Sequence, residues 1–298
     1  MPKVSILMNC FNGEKYLREA IDSVISQTYK DWELIFWDNQ SSDVSSKIVK
    51  SYNDSRIKYH MAPTHTSLYL GRSAALKLCT GQYLAFLDCD DLWFPEKLSK
   101  QLKVFDSDPE VVLVHSNTIF FNSNIGKGRV FNKRKRSSGR IFEEIIKSYY
   151  ISLETVMVRM DTISANRIDF ADFNLIGERD FLSAVSFYGK VQYLDEVLAK
   201  WRIHNNNLSK SLSKDHPKEL KLMYLRLHSR FGKKFTKSMR INIFNEIIMR
   251  QALNTFSMSR LNARKKLGKS IGFSVKIVGL WIMSFLPGKF AMYILKHK

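Results

Sequence analysis

The feature that most constrains this chain is an alternation of short apolar runs with amphipathic helical stretches, two of the runs ending in acids. Lys3–Asn9 sets Val4, Ile6 and Met8 on one face and Ser5 and Leu7 on the other, the two-residue period of a strand. Glu14–Thr28 carries Leu17, Ile21, Val24 and Ile25 on one side, the spacing of a helix. Trp32–Trp37 is a second strand, apolar except for Glu33, and Ser42 or Asp43 is placed to cap a helix over Val44–Tyr52. The alternation continues with strand Arg56–His60, helix Gly71–Cys79, strand Tyr83–Leu87, helix Pro95–Asp106 and strand Val111–Ser116. Such spacing predicts an α/β fold whose mostly parallel sheet is covered on both faces.

In sheets of that kind ligands collect outside the carboxyl ends of the strands. One strand here ends at Asp38, another at Asp88-Cys89-Asp90-Asp91. Three carboxylates in four residues repel one another unless cations are present, which points to Mg²⁺ or Mn²⁺ shared with phosphate oxygens. The bland alternative makes Asp91 the cap of the next helix. No Gly-rich phosphate loop accompanies the acids, which argues against a P-loop or dinucleotide site.

Further along, Gly126–Arg140 is rich in Gly, Ser, Lys and Arg and reads as a solvated loop or as a flap facing an anionic substrate. A helix over Ile141–Tyr149 and a strand near Thr155–Arg159 follow. An acidic stretch then ends in Glu178-Arg179-Asp180, with a helix to Tyr188 and a strand at Val191–Tyr193. Beyond Ser213 the pattern is of basic helices. The charge divides sharply. Residues 1–204 carry 27 Lys/Arg against 25 Asp/Glu, and residues 205–298 carry 20 against 3. A nearly neutral body with a strongly basic tail implies an anionic partner for the tail.

The run Val4-Ser5-Ile6-Leu7-Met8-Asn9-Cys10-Phe11-Asn12-Gly13, with Gln27-Thr28-Tyr29, Trp32-Glu33-Leu34-Ile35 through Asp43, Gly81-Gln82-Tyr83 and Phe86-Leu87-Asp88-Cys89-Asp90-Asp91, resembles family 2 glycosyltransferases. The resemblance extends through Leu198–His204 to Asn207 and Ser209, about two thirds of the chain. It implies a GT-A-type nucleotide-binding domain with a mostly parallel mixed sheet over residues 1–213, followed by a basic helical region over 214–298. It also implies inverting transfer from a nucleotide-sugar donor. Phe11 and Asp38 fall where that family grips the base, and Asn39 stands where a second aspartate is usual. Arg72 matches an arginine that would neutralise diphosphate charge. By the same match Asp88 would face the ribose and metal region, and Asp90 would be the direct ligand of Mn²⁺ or Mg²⁺. Arg202 and His204 match an Arg-x-His element near the diphosphate.

An inverting transfer needs a carboxylate beside the acceptor hydroxyl. Glu178 aligns with the usual base and Asp180 with its orienter, the reverse assignment staying open. Asn39 in place of aspartate favours UDP only modestly over dTDP or GDP. The family usually has proline and threonine where this chain has Asn9 and Cys10.

Residues 271–295 mix Phe273, Ile277, Leu280, Trp281 and Phe285 with Lys276 and Lys289. The longest uncharged stretch, Ile277–Gly288, is too short to span a bilayer as a simple helix. A basic helix with Trp and Phe on its apolar face suits the membrane interface, with Arg260, Arg264, Lys265, Lys266 and Lys269 meeting anionic headgroups. The competing role is a subdomain packed on the catalytic domain or on a second subunit, as in a homo-oligomer. Nucleic acid is disfavoured, because no recognition motif is present and the apolar run has no role on phosphates. Met1-Pro2-Lys3 leads straight into a strand without a signal-peptide pattern, and three cysteines without a CxxC pair point to a reducing compartment. The expectation is therefore a peripheral enzyme on the cytoplasmic face, adding sugar to a lipid-linked glycan in cell-surface polysaccharide synthesis. A soluble transferase acting on a protein or free glycan, and a non-catalytic scaffold that kept the fold, are the alternatives.

Overall fold

The computed structural model describes residues 2–122, 128–205, 207, 213–256, 259–270, 278 and 280. The chain divides into two compact units, Met1–Ile145 with Tyr149–Asn207, and Ile146–Ser148 with Leu208–Lys298.

The first unit is built on a mixed sheet. Its strands are β1 (Val4–Cys10), β2 (Trp32–Asp38), β3 (Ile57–Met61), β4 (Tyr83–Phe86), β5 (Leu92–Trp93), β6 (Val111–Phe121), β7 (Gly128–Val130), β8 (Met157–Arg159) and β9 (Lys190–Arg202). They lie in the order β3-β2-β1-β4-β8-β6-β9-β5, with β7 paired to β6. All seven residues of β1 are buried, as a central strand covered on both faces requires. Helix α1 (Glu14–Ile25) lays Leu17, Ala20, Ile21 and Val24 into the core beneath it, and α4 (Lys97–Ser107) adds Leu98, Leu102 and Phe105. The remaining helices of this unit are α2 (Ser45–Lys50), α3 (Leu68–Leu76), α6 (Met160–Ala165) and α7 (Gly177–Ser186), while α5 (Phe142–Lys147) runs across the division at Ile145/Ile146.

A buried carboxylate ties the parallel half together. Glu33 Oε1 accepts from Ser5 Oγ at 2.5 Å and from Thr80 N at 2.7 Å, and Oε2 accepts from Lys58 Nζ at 2.6 Å. Burial alone would raise its pKa, but these donors outweigh it and hold the group below the ordinary glutamate value. The acid near the start of β2 is thus a clamp across β1, β2, β3 and the turn into β4.

Several elements differ from the sequence pattern. Residues 128–130 of the Gly/Lys/Arg-rich segment form β7 rather than open loop, because Ile119 and Val130 pair in register; Gly126 lies outside the described residues. The strand expected at Val191–Tyr193 runs on to Arg202, with irregular register against β6 near Ser116 and Asn117. That break in the ladder interrupts the two-residue period that would have marked its length. Strand β8 pairs antiparallel with both β4 and β6, and β5 antiparallel with β9, making the sheet mixed.

The second unit is helical, with α8 (His216–Phe231), α9 (Lys237–Phe256) and α10 (Arg260–Leu267). Leu220, Met223, Leu227 and Phe231 form the buried stripe of α8, with Ile243, Ile248, Ala263 and Leu267 also buried in this unit. Among the described residues no helix is long and apolar enough to cross a membrane. The apolar stretch Ile277–Gly288 lies outside the described residues except for Val278 and Leu280.

Candidate active site

Strand β1 is flanked by β2 on one side and β4 on the other, all parallel. The chain moves outward from β1 through β2 to β3 and then returns to β4, so a topological switch falls at β1/β4. A crevice opens outside the carboxyl ends of strands at such a point. Cys10 is level with Asp38, and Asp88 follows β4 on the same edge. Gly13 permits the close fit here, since a Cβ at that position would lie 2.7 Å from Cys10 Sγ and 2.8 Å from Cys89 Sγ.

The two acid positions have different surroundings. Asp38 is fully buried. Its Oδ1 accepts from Ser41 N at 2.7 Å and its Oδ2 from Tyr59 Oη at 2.8 Å; burial, with that bond, pushes the tyrosine up to about 12. Asn39 is buried beside it, donating Nδ2 to Thr66 O at 2.9 Å and accepting from Thr66 N and Oγ1 at 3.2 Å. Phe11, at the end of β1, is 51% exposed and packs on His65 with ring centroids 4.4 Å apart.

Asp88 and Asp90, by contrast, have side chains 39% and 25% exposed. Arg72 Nη2 donates to Asp88 Oδ1, and His204 Nε2 lies 2.8 Å from Asp90 Oδ2. Burial, then the neighbouring charge of Asp88, raises the Asp90 pKa. A carboxylate so placed gains from an added cation. Among the described residues no three His, Cys, Asp or Glu side chains group to hold a metal by themselves. The residues fit a hard cation held by one or two carboxylates and completed by phosphate oxygens, the usual arrangement for Mg²⁺.

Asp91 does not cap the next helix, which begins at Lys97. It is buried, and its Oδ1 accepts from Arg202 N at 2.8 Å. Arg202 is itself buried, donating Nε to Asp90 O at 2.8 Å and Nη2 to Glu19 Oε2 at 2.9 Å, with its guanidinium 4.3 Å from the Tyr16 ring. It braces the acidic loop from within. Asn207 closes the adjoining turn by accepting from His204 N at 2.6 Å and donating to Arg202 O at 3.1 Å.

Glu178 sits in the first turn of α7, half-buried, and Asp180 is buried one step further along. Tyr69 Oη donates to Glu178 Oε2. One turn along α3 from Tyr69 lies Arg72, whose guanidinium is 4.8 Å from the Tyr69 ring. A Cβ on Gly177 would collide with that ring, so glycine lets α7 start against it. One face of α3 therefore links Asp88 to Glu178 through Arg72 and Tyr69. Tyr69 and His65 were not singled out in the sequence. Each is an ordinary aromatic position until contacts distant in the chain assemble it.

A family profile described as Glycosyl transferase family 2 matches residues 5–163, just over half of the chain. The chain belongs to that family. An uncharacterized glycosyltransferase of Methanocaldococcus jannaschii is 28% identical over 213 residues, covering 69% of this chain and 72% of its own. The Escherichia coli UDP-Glc:α-D-GlcNAc-diphosphoundecaprenol β-1,3-glucosyltransferase WfgD is 32% identical over 155 residues, covering 52% of this chain and 59% of its own. The putative glycosyltransferase EpsE of Bacillus subtilis is 37% identical over 124 residues, covering 41% and 45%; the chain thus spans about half the length of these last two relatives. Among solved structures, S. aureus TarS residues 1–349 with UDP-GlcNAc superimposes with a TM-score of 0.66 at 20% identity, over 95% of this chain and 79% of that one. At that identity the likeness speaks for the fold alone. The family 2 transferase therefore has the expected GT-A architecture, a mixed sheet flanked by helices and followed by a helical region.

Proposed function

We propose that this family 2 transferase moves a sugar from a UDP-linked donor to a lipid-linked glycan with inversion at C1, at an anionic membrane surface, in cell-surface polysaccharide synthesis. The observation that carries the reading is the meeting at one sheet edge of Asp88 with Arg72, Asp90 with His204, and Glu178 bound to the same helix as Arg72. The acceptor class rests on the similarity to WfgD, which acts on a diphosphoundecaprenol-linked sugar.

In this reading Phe11 offers a face to the nucleotide base, while Asp38 and Asn39 hold the platform around it. Asp90, with Asp88, would hold Mn²⁺ or Mg²⁺ together with the donor diphosphate. The ion supplies charge neutralisation for the departing nucleoside diphosphate. Arg72 adds a fixed positive charge on the same side, and Arg202 and His204 set the loop that carries Asp90. Glu178 accepts the proton of the acceptor hydroxyl as that oxygen bonds to C1 and the C1–O bond to the diphosphate breaks. A single displacement from the face opposite the leaving group inverts the anomeric centre. Asp180, buried in the next step of α7, orients the start of that helix. The basic region over 214–298 supplies the membrane contact, aided by Arg264, Lys265 and Lys266 at the end of α10.

Calorimetry of nucleoside diphosphates with and without Mn²⁺, on wild type and Asp90→Ala, tests the reading. Metal-dependent UDP binding that is lost in the variant is the expected result. A folded wild type that binds no nucleotide would leave a non-catalytic scaffold as the better account.

A further inference from the structure

We propose that His65 reads the edge of the donor base, selecting uracil over cytosine; this rests on the nucleotide-donor reading above. The two polar side chains at the end of β2, Asp38 and Asn39, are already engaged. Asp38 holds Ser41 N and Tyr59 Oη, and the Asn39 amide holds both the backbone and the hydroxyl of Thr66. Both are buried beneath the loop. The groups on the outer side are Phe11 and the exposed His65, whose rings pack at 4.4 Å with planes tilted by 54°.

His65 is held in one orientation. Its Nδ1 lies 2.8 Å from the backbone carbonyl oxygen of Asn39. A carbonyl only accepts, so Nδ1 carries the hydrogen and Nε2 of the neutral ring keeps a lone pair. The result is a fixed hydrogen-bond acceptor beside an aromatic face. In this proposal a pyrimidine stacked on Phe11 turns its N3 edge to that acceptor. Uracil has a hydrogen on N3 and donates it, whereas cytosine has a lone pair there and opposes Nε2. The two bases are nearly the same size, so shape contributes little to the choice. Asn39 thus acts on the base at one remove, its carbonyl setting the tautomer of His65.

The test compares UDP and CDP by calorimetry at pH 8 with Mn²⁺, on the full chain. Wild type is expected to prefer UDP by about tenfold or more, the scale set by one well-placed hydrogen bond. His65→Phe keeps an aromatic surface and loses the acceptor; its UDP affinity should fall about tenfold and the UDP-to-CDP ratio should approach one. Phe11→Leu should weaken both nucleotides by a similar factor and keep the ratio. Thermal melts matching wild type establish that both variants fold. A wild type without preference for UDP, or a His65→Phe protein with the wild-type ratio, overturns the inference while the transferase reading stands. Absence of any nucleotide binding by folded wild type overturns both.

Discussion

Two strand ends of this protein look alike in sequence, an apolar run followed by an acid, yet the fold uses them differently. Asp38 is sealed, with both carboxylate oxygens satisfied by a backbone N–H and a tyrosine hydroxyl. Asp88 and Asp90 remain partly exposed, each against one cationic or ionisable side chain. A carboxylate whose lone pairs are engaged by uncharged donors fixes a loop. One that faces solvent beside another acid stores repulsion that an incoming cation relieves. The difference teaches that an acid at a strand end acquires its role from the donors that the neighbouring loops bring to it.

The sharpest way to break this comparison is to remove one acid from each end. Asp90→Ala is expected to lower kcat/KM by about a thousandfold or more, the scale of losing charge stabilisation at a leaving group, with little change in melting temperature. Asp38→Ala leaves Ser41 N and Tyr59 Oη without their acceptor and should cost about 3 kcal/mol of stability. Paired product assays and denaturant titrations read both effects. If Asp38→Ala melts like wild type and loses activity while Asp90→Ala does the opposite, the two roles are reversed.

Much of this contrast was open to inspection before the fold was known. The apolar runs outlined β1, β2 and β4 and placed Asp38 and Asp88 at carboxyl ends, because these three strands are buried almost throughout and leave a near-continuous apolar signature. The irregular pairing of β9 concealed most of that strand, and the two residues of β5 are too few to show a period. The candidate site was legible where a strand end carries clustered acids, as at Asp90, and where the family resemblance aligns an acid, as at Glu178, the metal and base roles of both being proposals. It was hidden where function depends on a contact, as with Tyr69, which reaches Glu178 from 109 positions away. Arg202 shows the same limit from the other side, since its sequence position suggested a diphosphate contact whereas its guanidinium is bound to Asp90 O and Glu19.

A buried histidine sharpens the rule that donors decide the role. His115 lies fully buried in β6 near the rings of Tyr150 and Tyr193, and neither ring nitrogen has a hydrogen-bond partner. Burial pushes its pKa down to about 3, against an ordinary histidine value of 6.5. The fold therefore requires the neutral ring. Its contribution is fully present above pH 6.5 and is lost progressively as pH falls from there towards 3, by up to about 1.4 kcal/mol per unit. His115→Leu should remove that acid limb, so the loss of melting temperature between pH 7 and pH 5 should be smaller than in wild type. Parallel slopes for the two proteins would mean that the ring finds a proton acceptor in the fold.

The smallest effect tests how the two sides of the site are joined. Tyr69→Phe keeps the ring under Arg72 and beside Gly177 but deletes the hydroxyl that donates to Glu178. If that hydroxyl orients the base, kcat should fall about three- to tenfold while KM for the donor stays constant, against about a thousandfold for Glu178→Gln. The double variant should be no slower than Glu178→Gln alone, because a residue acting only through Glu178 has nothing left to orient. A rise in donor KM with kcat unchanged would instead assign Tyr69 to Arg72 and the diphosphate side. Either pattern says which end of the α3 face depends on the tyrosine, and so whether proton acceptance and charge neutralisation are set by one packing unit or by two.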